Sequence, residues 1–328
     1  MFSMKNNNFI KFEKLYKNRC LRGKDMTICI VAISELATPT QKLIFASDRL
    51  ATDQNGLTFE LGIPKVRPIT ENCLVMSAGN AGRADSIINK VIGEISKRNI
   101  ENENYLLIEE IVSIFESKYK EVKDKAIQKE IFDSKGMTRE EFYKNIKNFP
   151  DWFSILIDSN VNNFDFNVGL IIFGFDINKE SKTFAPHIYE VSGNGESVCW
   201  DSTGFAMIGI GYSQSVSEIT KKPYNPFTKM QDTILKVYRS KKSAQRVTGV
   251  GEYTDLGYME VVADLENNKA VSRSFFASDD IKKMMDNKLE EQGKKIEEIE
   301  EIIKKNIESS FIHPVEPPEV EIEQKVTL

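Results

Sequence analysis

Short apolar, β-branched runs and longer amphipathic runs alternate along this chain in a fixed order. Thr27–Ile33 and Lys42–Ser47 are two such short runs, and the polar stretch between them, Ser34–Gln41, predicts a β-hairpin with an enlarged loop. A second pair, Lys65–Ile69 and Cys73–Ser77, flanks Thr70-Glu71-Asn72. The period then changes. Ala84, Ile87, Ile88, Val91, Ile92 and Ile95 recur at three and four, and Ile108, Ile111, Val112, Phe115 and Tyr119 do so again, which predicts two amphipathic helices. Strands resume at Val168–Gly174, His187–Val191 and Phe205–Ile208, with turn residues at Asn178 and Gly193-Asn194-Gly195. A second helix pair, about Ser213–Thr220 and Thr228–Val247, precedes a last hairpin of Tyr258–Asp264 and Ala270–Phe276. This order predicts an α+β chain in which an antiparallel sheet sandwich carries helices on both outer faces.

Two segments stand outside that rhythm. The polar stretch of about 121–167 reads as a helical insertion, with Thr138 and Glu141 spaced as a capping box and Phe149, Trp152 and Phe153 as a local core. From Asp279 onward, Met285, Leu289, Ile296, Ile299 and Ile303 fall near heptad spacing among Lys and Glu. That predicts a helix of about 30 residues, spread over several heptads, that packs on a neighbour or on the parent body. It is followed by His313-Pro314-Val315-Glu316-Pro317-Pro318, which cannot continue a helix. The expected organisation is therefore an extension over 1–26, a domain over 27–277 and a charged helix with a Pro-rich tail over 278–328.

Composition narrows the function classes. With 328 residues, 41% of them hydrophobic, the chain is long enough to bury a full core. A net charge of −5 lacks the basic excess of a nucleic-acid binder, so nucleic acid is not an expected partner. Cys20, Cys29, Cys73 and Cys199 form no CxxC pair, which points to free thiols and a reducing, cytoplasmic setting. His187 and His313 lack partners at ligand spacing, so neither a His-based metal site nor a Ser-His-Asp triad is expected. Met1–Asp25 is polar and rich in Lys and Asn, without the apolar core of a signal peptide or membrane anchor. It reads as a loose tail, a propeptide or an untranslated stretch. Arg22-Gly23-Lys24-Asp25-Met26 can be encoded as AGA-GGA-AAA-GAT-ATG, a purine-rich ribosome-binding sequence before an ATG, so Met26 is the expected start.

Four groups with chemical potential fall at strand ends and turns. These are Thr27 in Met26-Thr27-Ile28-Cys29, Asp48 in Ala46-Ser47-Asp48, Lys65 in Ile63-Pro64-Lys65-Val66, and Gly79 in Ser77-Ala78-Gly79-Asn80. A threonine hydroxyl needs a nearby base to become a nucleophile, and the α-amino group of an N-terminal Thr27 is one. A lysine beside the hydroxyl lowers its proton affinity, a carboxylate neutralises and orients the lysine, and a glycine N–H can approach a developing oxyanion.

These residues and their spacing resemble the proteasome β-subunit group of N-terminal nucleophile hydrolases, and most of all its bacterial, Anbu-type members. The resemblance covers about residues 26–276, with most of its specificity in the first 60 of them. It implies a four-layer αββα sandwich and a cytoplasmic homo-oligomeric ring, possessing no metal or other cofactor, that cleaves peptide or protein substrates. It leaves any unfoldase partner open and implies no membrane association. Residue by residue, it implies Thr27 as nucleophile, Asp48 as orienting acid, Lys65 as the charged lysine and Gly79 as oxyanion donor. Thr52 would pair with the substrate backbone, and Ala51, Ile63, Ser77 and Ala81 would line the specificity pocket.

The chain departs from that family in two places. Gly209-Ile210-Gly211 stands where active members have Gly-Ser-Gly, with Tyr212 or Ser213 as the nearby hydroxyls. Val247-Thr248-Gly249-Val250-Gly251 resembles the final glycine turn, with Thr248 and Asp255 as stand-ins for the usual serine and aspartate partners. The alternative to a peptidase is thus a non-catalytic scaffold or interaction subunit that keeps the fold for assembly.

Overall fold

The computed structural model describes residues 27–52, 58–60, 62, 64–101, 106–178, 183–264 and 269–311. Twelve strands are present among them: β1 (Cys29–Ser34), β2 (Lys42–Ser47), β3 (Leu50–Thr52), β4 (Thr58–Glu60), β5 (Val66–Thr70), β6 (Cys73–Gly79), β7 (Val168–Asn178), β8 (Thr183–Ser192), β9 (Glu196–Cys199), β10 (Phe205–Ile208), β11 (Asp255–Asp264) and β12 (Lys269–Phe276). The α-helices are α1 (Ala81–Glu101), α2 (Ile108–Ile127), α3 (Arg139–Lys144), α4 (Asp151–Asn162), α5 (Tyr212–Ile219), α6 (Met230–Ala244) and α7 (Asp279–Phe311).

The strands form two five-stranded antiparallel sheets, ordered β10-β1-β2-β11-β12 and β5-β6-β7-β8-β9, and a ribbon of β3 with β4. Strand parity decides which residues face what. On β6, Leu74, Met76 and Ala78 join Cys29, Val31 and Phe45 of the other sheet in a shared core. Cys73 and Val75, one position out of phase, join Ile87, Val91, Ile111 and Phe115 of α1 and α2 instead. β1 is buried along its whole length, as its uninterrupted apolar sequence requires of a strand covered on both faces. α6 packs against β1 and β2.

The four-layer αββα sandwich is corrected by this arrangement. The described residues form two five-stranded antiparallel sheets, a ribbon and seven α-helices, a mixed α+β fold in which a four-layer αββα sandwich is not shown. The insertion shows the physical reason. Phe132, Phe142 and Ile157 are buried among Phe149, Phe153 and Val161 in a small core of the insertion's own, whereas Trp152, expected in that core, is 67% exposed because it lies on the outward face of α4. α3 opens on the expected capping box, with Glu141 N–H donating to Thr138 Oγ1 at 3.1 Å and Thr138 N–H to Glu141 Oε2 at 2.8 Å.

The chain divides into two compact units, Met1–Phe276 and Ala277–Leu328. In the second, α7 runs for 33 residues, about 50 Å at 1.5 Å per residue. No helix among the described residues is long and apolar enough to cross a membrane.

Candidate active site

The β1–β2 register builds the centre of the site. Cys29 pairs with Ser47, so Thr27 and Ile28, just before β1, lie beside Asp48, just after β2. Asp48 N–H donates to Ile28 O at 3.3 Å, and Ile28 N–H donates to Asp48 Oδ1 at 3.2 Å. The Thr27 hydroxyl donates to the same carboxylate oxygen. Lys65, at the mouth of β5, donates to Thr27 Oγ1, to Asp48 Oδ1 at 2.9 Å and to Leu50 O at 2.6 Å. Three acceptors match the three N–H bonds of an ammonium. Asp48 is fully buried and Thr27 is 2% exposed. Burying a carboxylate is costly unless hydrogen-bonding partners replace its water, and Thr27, Ile28 and Lys65 are such partners here.

Two glycines frame this centre. Gly79 ends β6 with φ 98°, and Gly209 directly follows β10 with φ 110°. A Cβ at Gly209 would lie 2.3 Å from the Thr27 carbonyl oxygen, so the close approach of β10 to the start of β1 admits only glycine. Gly79 is placed by the contact of β6 with β1, where the Cys29 thiol donates to Ser77 O at 3.5 Å. Those two residues stand two positions from Thr27 and Gly79 along their strands. Burial pushes the Cys29 thiol up to about 12, opposed by the Lys65 ammonium and aided by Asp48. At neutral pH it is therefore a packing residue rather than a competing nucleophile.

The structure thus brings Thr27, Asp48 and Lys65 into direct contact. Ala51 and Thr52 lie in β3, opposite Phe59 and Thr58 of β4. Ser77 lies within β6 and Ala81 opens α1 at the surface. Ile63 lies outside the described residues. The stand-ins for the missing partners are placed elsewhere. Thr248 is exposed, as are Tyr212 and Ser213. Asp255 is buried, but its carboxylate takes a bidentate hydrogen bond from Arg49, closest at 2.6 Å, and the Arg49 guanidinium sits 4.0 Å from the Tyr253 ring centre.

Several contributors were not legible from the sequence. Gly251 N–H donates to Asp48 Oδ2 at 2.9 Å, so both carboxylate oxygens are engaged. The turn carrying Gly251 is held in place by Lys241 of α6, buried, which donates to Gly251 O at 2.8 Å and to Glu252 O at 3.0 Å. Gln245 Nε2 donates to the same two carbonyls. A lysine buried in an otherwise amphipathic helix was the available signal, and its partners lie beyond reach of periodicity.

A cleft of about 600 Å³ opens beside this centre, lined by residues that include Ala78, Gly169, Trp200, Met207, Gly209 and Tyr212. It reaches the start of β1 through Gly209, whereas Thr27, Asp48 and Lys65 are not in its lining. No known family's sequence profile matches this chain, and no curated protein matches it with significant similarity.

Proposed function

We propose that this chain is a threonine-type peptidase or amidohydrolase of the proteasome β-subunit kind, with Thr27 as nucleophile, acting on peptide or protein substrates in a cytoplasmic homo-oligomeric ring. One observation carries the reading: the Thr27 hydroxyl is hydrogen-bonded to both the Lys65 ammonium and the Asp48 carboxylate. A solvated threonine at a strand start needs no such partners, and burying this trio is costly unless its members act together.

In a chain that begins at Thr27, the free α-amino group has a reference pKa of about 7.7–8.0 and accepts the hydroxyl proton as Oγ1 attacks the substrate carbonyl carbon. The carbonyl π electrons move onto oxygen, where the Gly79 N–H contributes about 3 kcal/mol of stabilisation. Collapse of the adduct releases the substrate amine, which takes the proton from the ammonium and leaves an ester on Thr27. Water then gives a proton to the amine, attacks the ester and restores the hydroxyl. Lys65 holds Oγ1 in a positive field throughout, and Asp48 fixes Lys65. While Met26 precedes Thr27, the nitrogen is an amide and offers no base, so removal of the preceding residues is part of the reading.

A second reading, a non-catalytic assembly subunit, is favoured by Ile210 in place of a hydroxyl residue and by Asp255 being committed to Arg49. The two are separated by expressing a chain that begins at Met26 and checking by mass that Thr27 is exposed. Hydrolysis of amide substrates, with labelling by electrophiles selective for an N-terminal threonine, is expected. No turnover and no labelling in the correctly trimmed protein would favour the assembly subunit.

A further inference from the structure

Arg83, in the first turn of α1, grips both ends of the insertion. Its guanidinium donates to Phe166 O at 2.8 Å and to Asp165 O at 3.4 Å at the exit, and to the Glu130 carboxylate near the entry. It also sits 5.3 Å from the Phe166 ring centre and 5.5 Å from that of Phe164. Phe164 packs against both the insertion's core and the core under α1 and α2, so the grip lies where the insertion joins the rest of its unit. A surface ion pair with Glu130 needs neither carbonyl, whereas the planar fork of an arginine reaches all three acceptors at once.

The residue served by this grip is Gly79. Asn80 follows it, and the Asn80 N–H donates at 2.7 Å to the carbonyl of Asn167, the residue after Phe166. Asn80 Oδ1 in turn accepts from the Arg83 backbone N–H at 3.0 Å and caps the start of α1. Asn80, Arg83, Phe166 and Asn167 therefore form a closed ring directly after Gly79. Asn167 adopts φ 53°, in the left-handed region, a conformation that persists where its surroundings hold it. Glycine has the widest backbone freedom of any residue, so the direction of the Gly79 N–H is defined only if the chain on both sides is held. Pairing of Ala78 with Gly169 and of Gly79 with Val168 holds one side, and the bond from Asn80 to Asn167 holds the other. We propose that Arg83 is a positioning residue for the oxyanion turn: it fixes the insertion's exit so that Asn167 O holds Asn80, and Gly79 then aims its N–H at the developing oxyanion. The catalytic consequence rests on the Thr27 reading, whereas the linkage from Arg83 to Asn80 does not.

The test uses the full chain carrying Arg83→Met or Arg83→Lys, with Arg67→Met as a control that removes the ion pair of α1 through Asp85. Circular dichroism checks that all three fold. Hydrogen exchange of the Asn80 amide, read by mass spectrometry, is expected to be at least about tenfold faster in both Arg83 variants and unchanged in the control. The lysine variant separates position from charge, because an ammonium keeps the attraction to Glu130 but lacks the fork that reaches the two carbonyls. In the chain trimmed to Thr27, kcat for an amide substrate is expected to fall at least about tenfold with KM within about twofold of the wild type, as for an interaction made only in the transition state. Wild-type exchange at Asn80 in either Arg83 variant, or an unchanged kcat in an active protein, would overturn the proposal. A trimmed wild type without turnover would count against the Thr27 reading alone, since the exchange measurement decides the linkage without it.

Discussion

Gly251 donates its backbone N–H to Asp48 Oδ2 at 2.9 Å across 203 residues of sequence, joining the turn after α6 to the carboxylate that holds Thr27 and Lys65. The site is therefore built from the first strand pair and closed by a turn near the other end of the same unit. The two sides of Asp48 make separable predictions.

On the Thr27 side, Thr27→Ala in the trimmed protein should abolish amide hydrolysis and labelling while leaving the oligomer unchanged. Lys65→Ala should lower kcat/KM by more than about 100-fold, since it removes the cation that supports the hydroxyl. It should also lower the melting temperature, because Asp48 is left buried without its counter-charge. Undiminished turnover in Thr27→Ala would assign the chemistry to another residue.

On the turn side, a Cβ at position 251 would stand 2.9 Å from Leu50 Cβ and 3.2 Å from Asp48 Oδ2. Gly251→Ala should therefore cost about 1–3 kcal/mol of stability through overpacking and should lower activity by displacing Asp48. Chemical denaturation and steady-state kinetics on the same sample measure both effects. An unaltered midpoint and rate would mean that the turn does not position the carboxylate.

Lys241 and Gln245 share the carbonyls of Gly251 and Glu252, so their effects should not add. A double-mutant cycle of Lys241→Met and Gln245→Ala should give a coupling energy of about 0.5–3 kcal/mol. Strict additivity would show that the two residues act independently of one another.

His187 gives a pH dependence remote from Thr27. Its ring lies between Asp201, with Nδ1 2.7 Å from Oδ2, and Asp176, with Nε2 3.3 Å from Oδ2. Hydrogen bonds to Asp176 and then Asp201 push it up to about 9, against the opposing effect of burial. A raised folded value means that the stabilisation is complete below the unfolded value of about 6.5 and is lost as pH rises through about 9. The melting temperature of the wild type should exceed that of His187→Gln most at pH 6, and the gap should narrow between pH 7 and pH 10. A gap constant across that range would remove charge from the explanation.

Ile210 lies between two glycines, one of which touches Thr27. Ile210→Ser should be harmless or should raise turnover, since it restores a hydrogen-bonding group near the α-amine. A loss of activity without a loss of stability would show that the isoleucine itself serves the reaction.

The sequence by itself determined nine of the twelve strands among the described residues, most of the helices and the polar residues at their ends, because these follow from local periodicity, whereas the short β3, β4 and β9 carry no such signal. Short apolar, β-branched runs marked β1, β2, β5 and β6, spacing of three and four marked α1 and α2, and the Thr138–Glu141 pair marked the start of α3. It also singled out Thr27, Asp48 and Lys65, since polar groups that terminate apolar runs are visible in one dimension. Only the tertiary structure decided how the helices are distributed. The insertion gathers Phe132, Phe142, Phe149 and Phe153 in a core of its own but leaves Trp152 exposed, and the four-layer arrangement gives way to a mixed α+β fold. The assignment of Asp255 to Arg49 and of Gly251 to Asp48 was likewise undecidable from the chain. A hydrogen bond between residues some 200 positions apart leaves no periodic trace, because its geometry is set by how the sheets and α6 pack and not by either residue's neighbours.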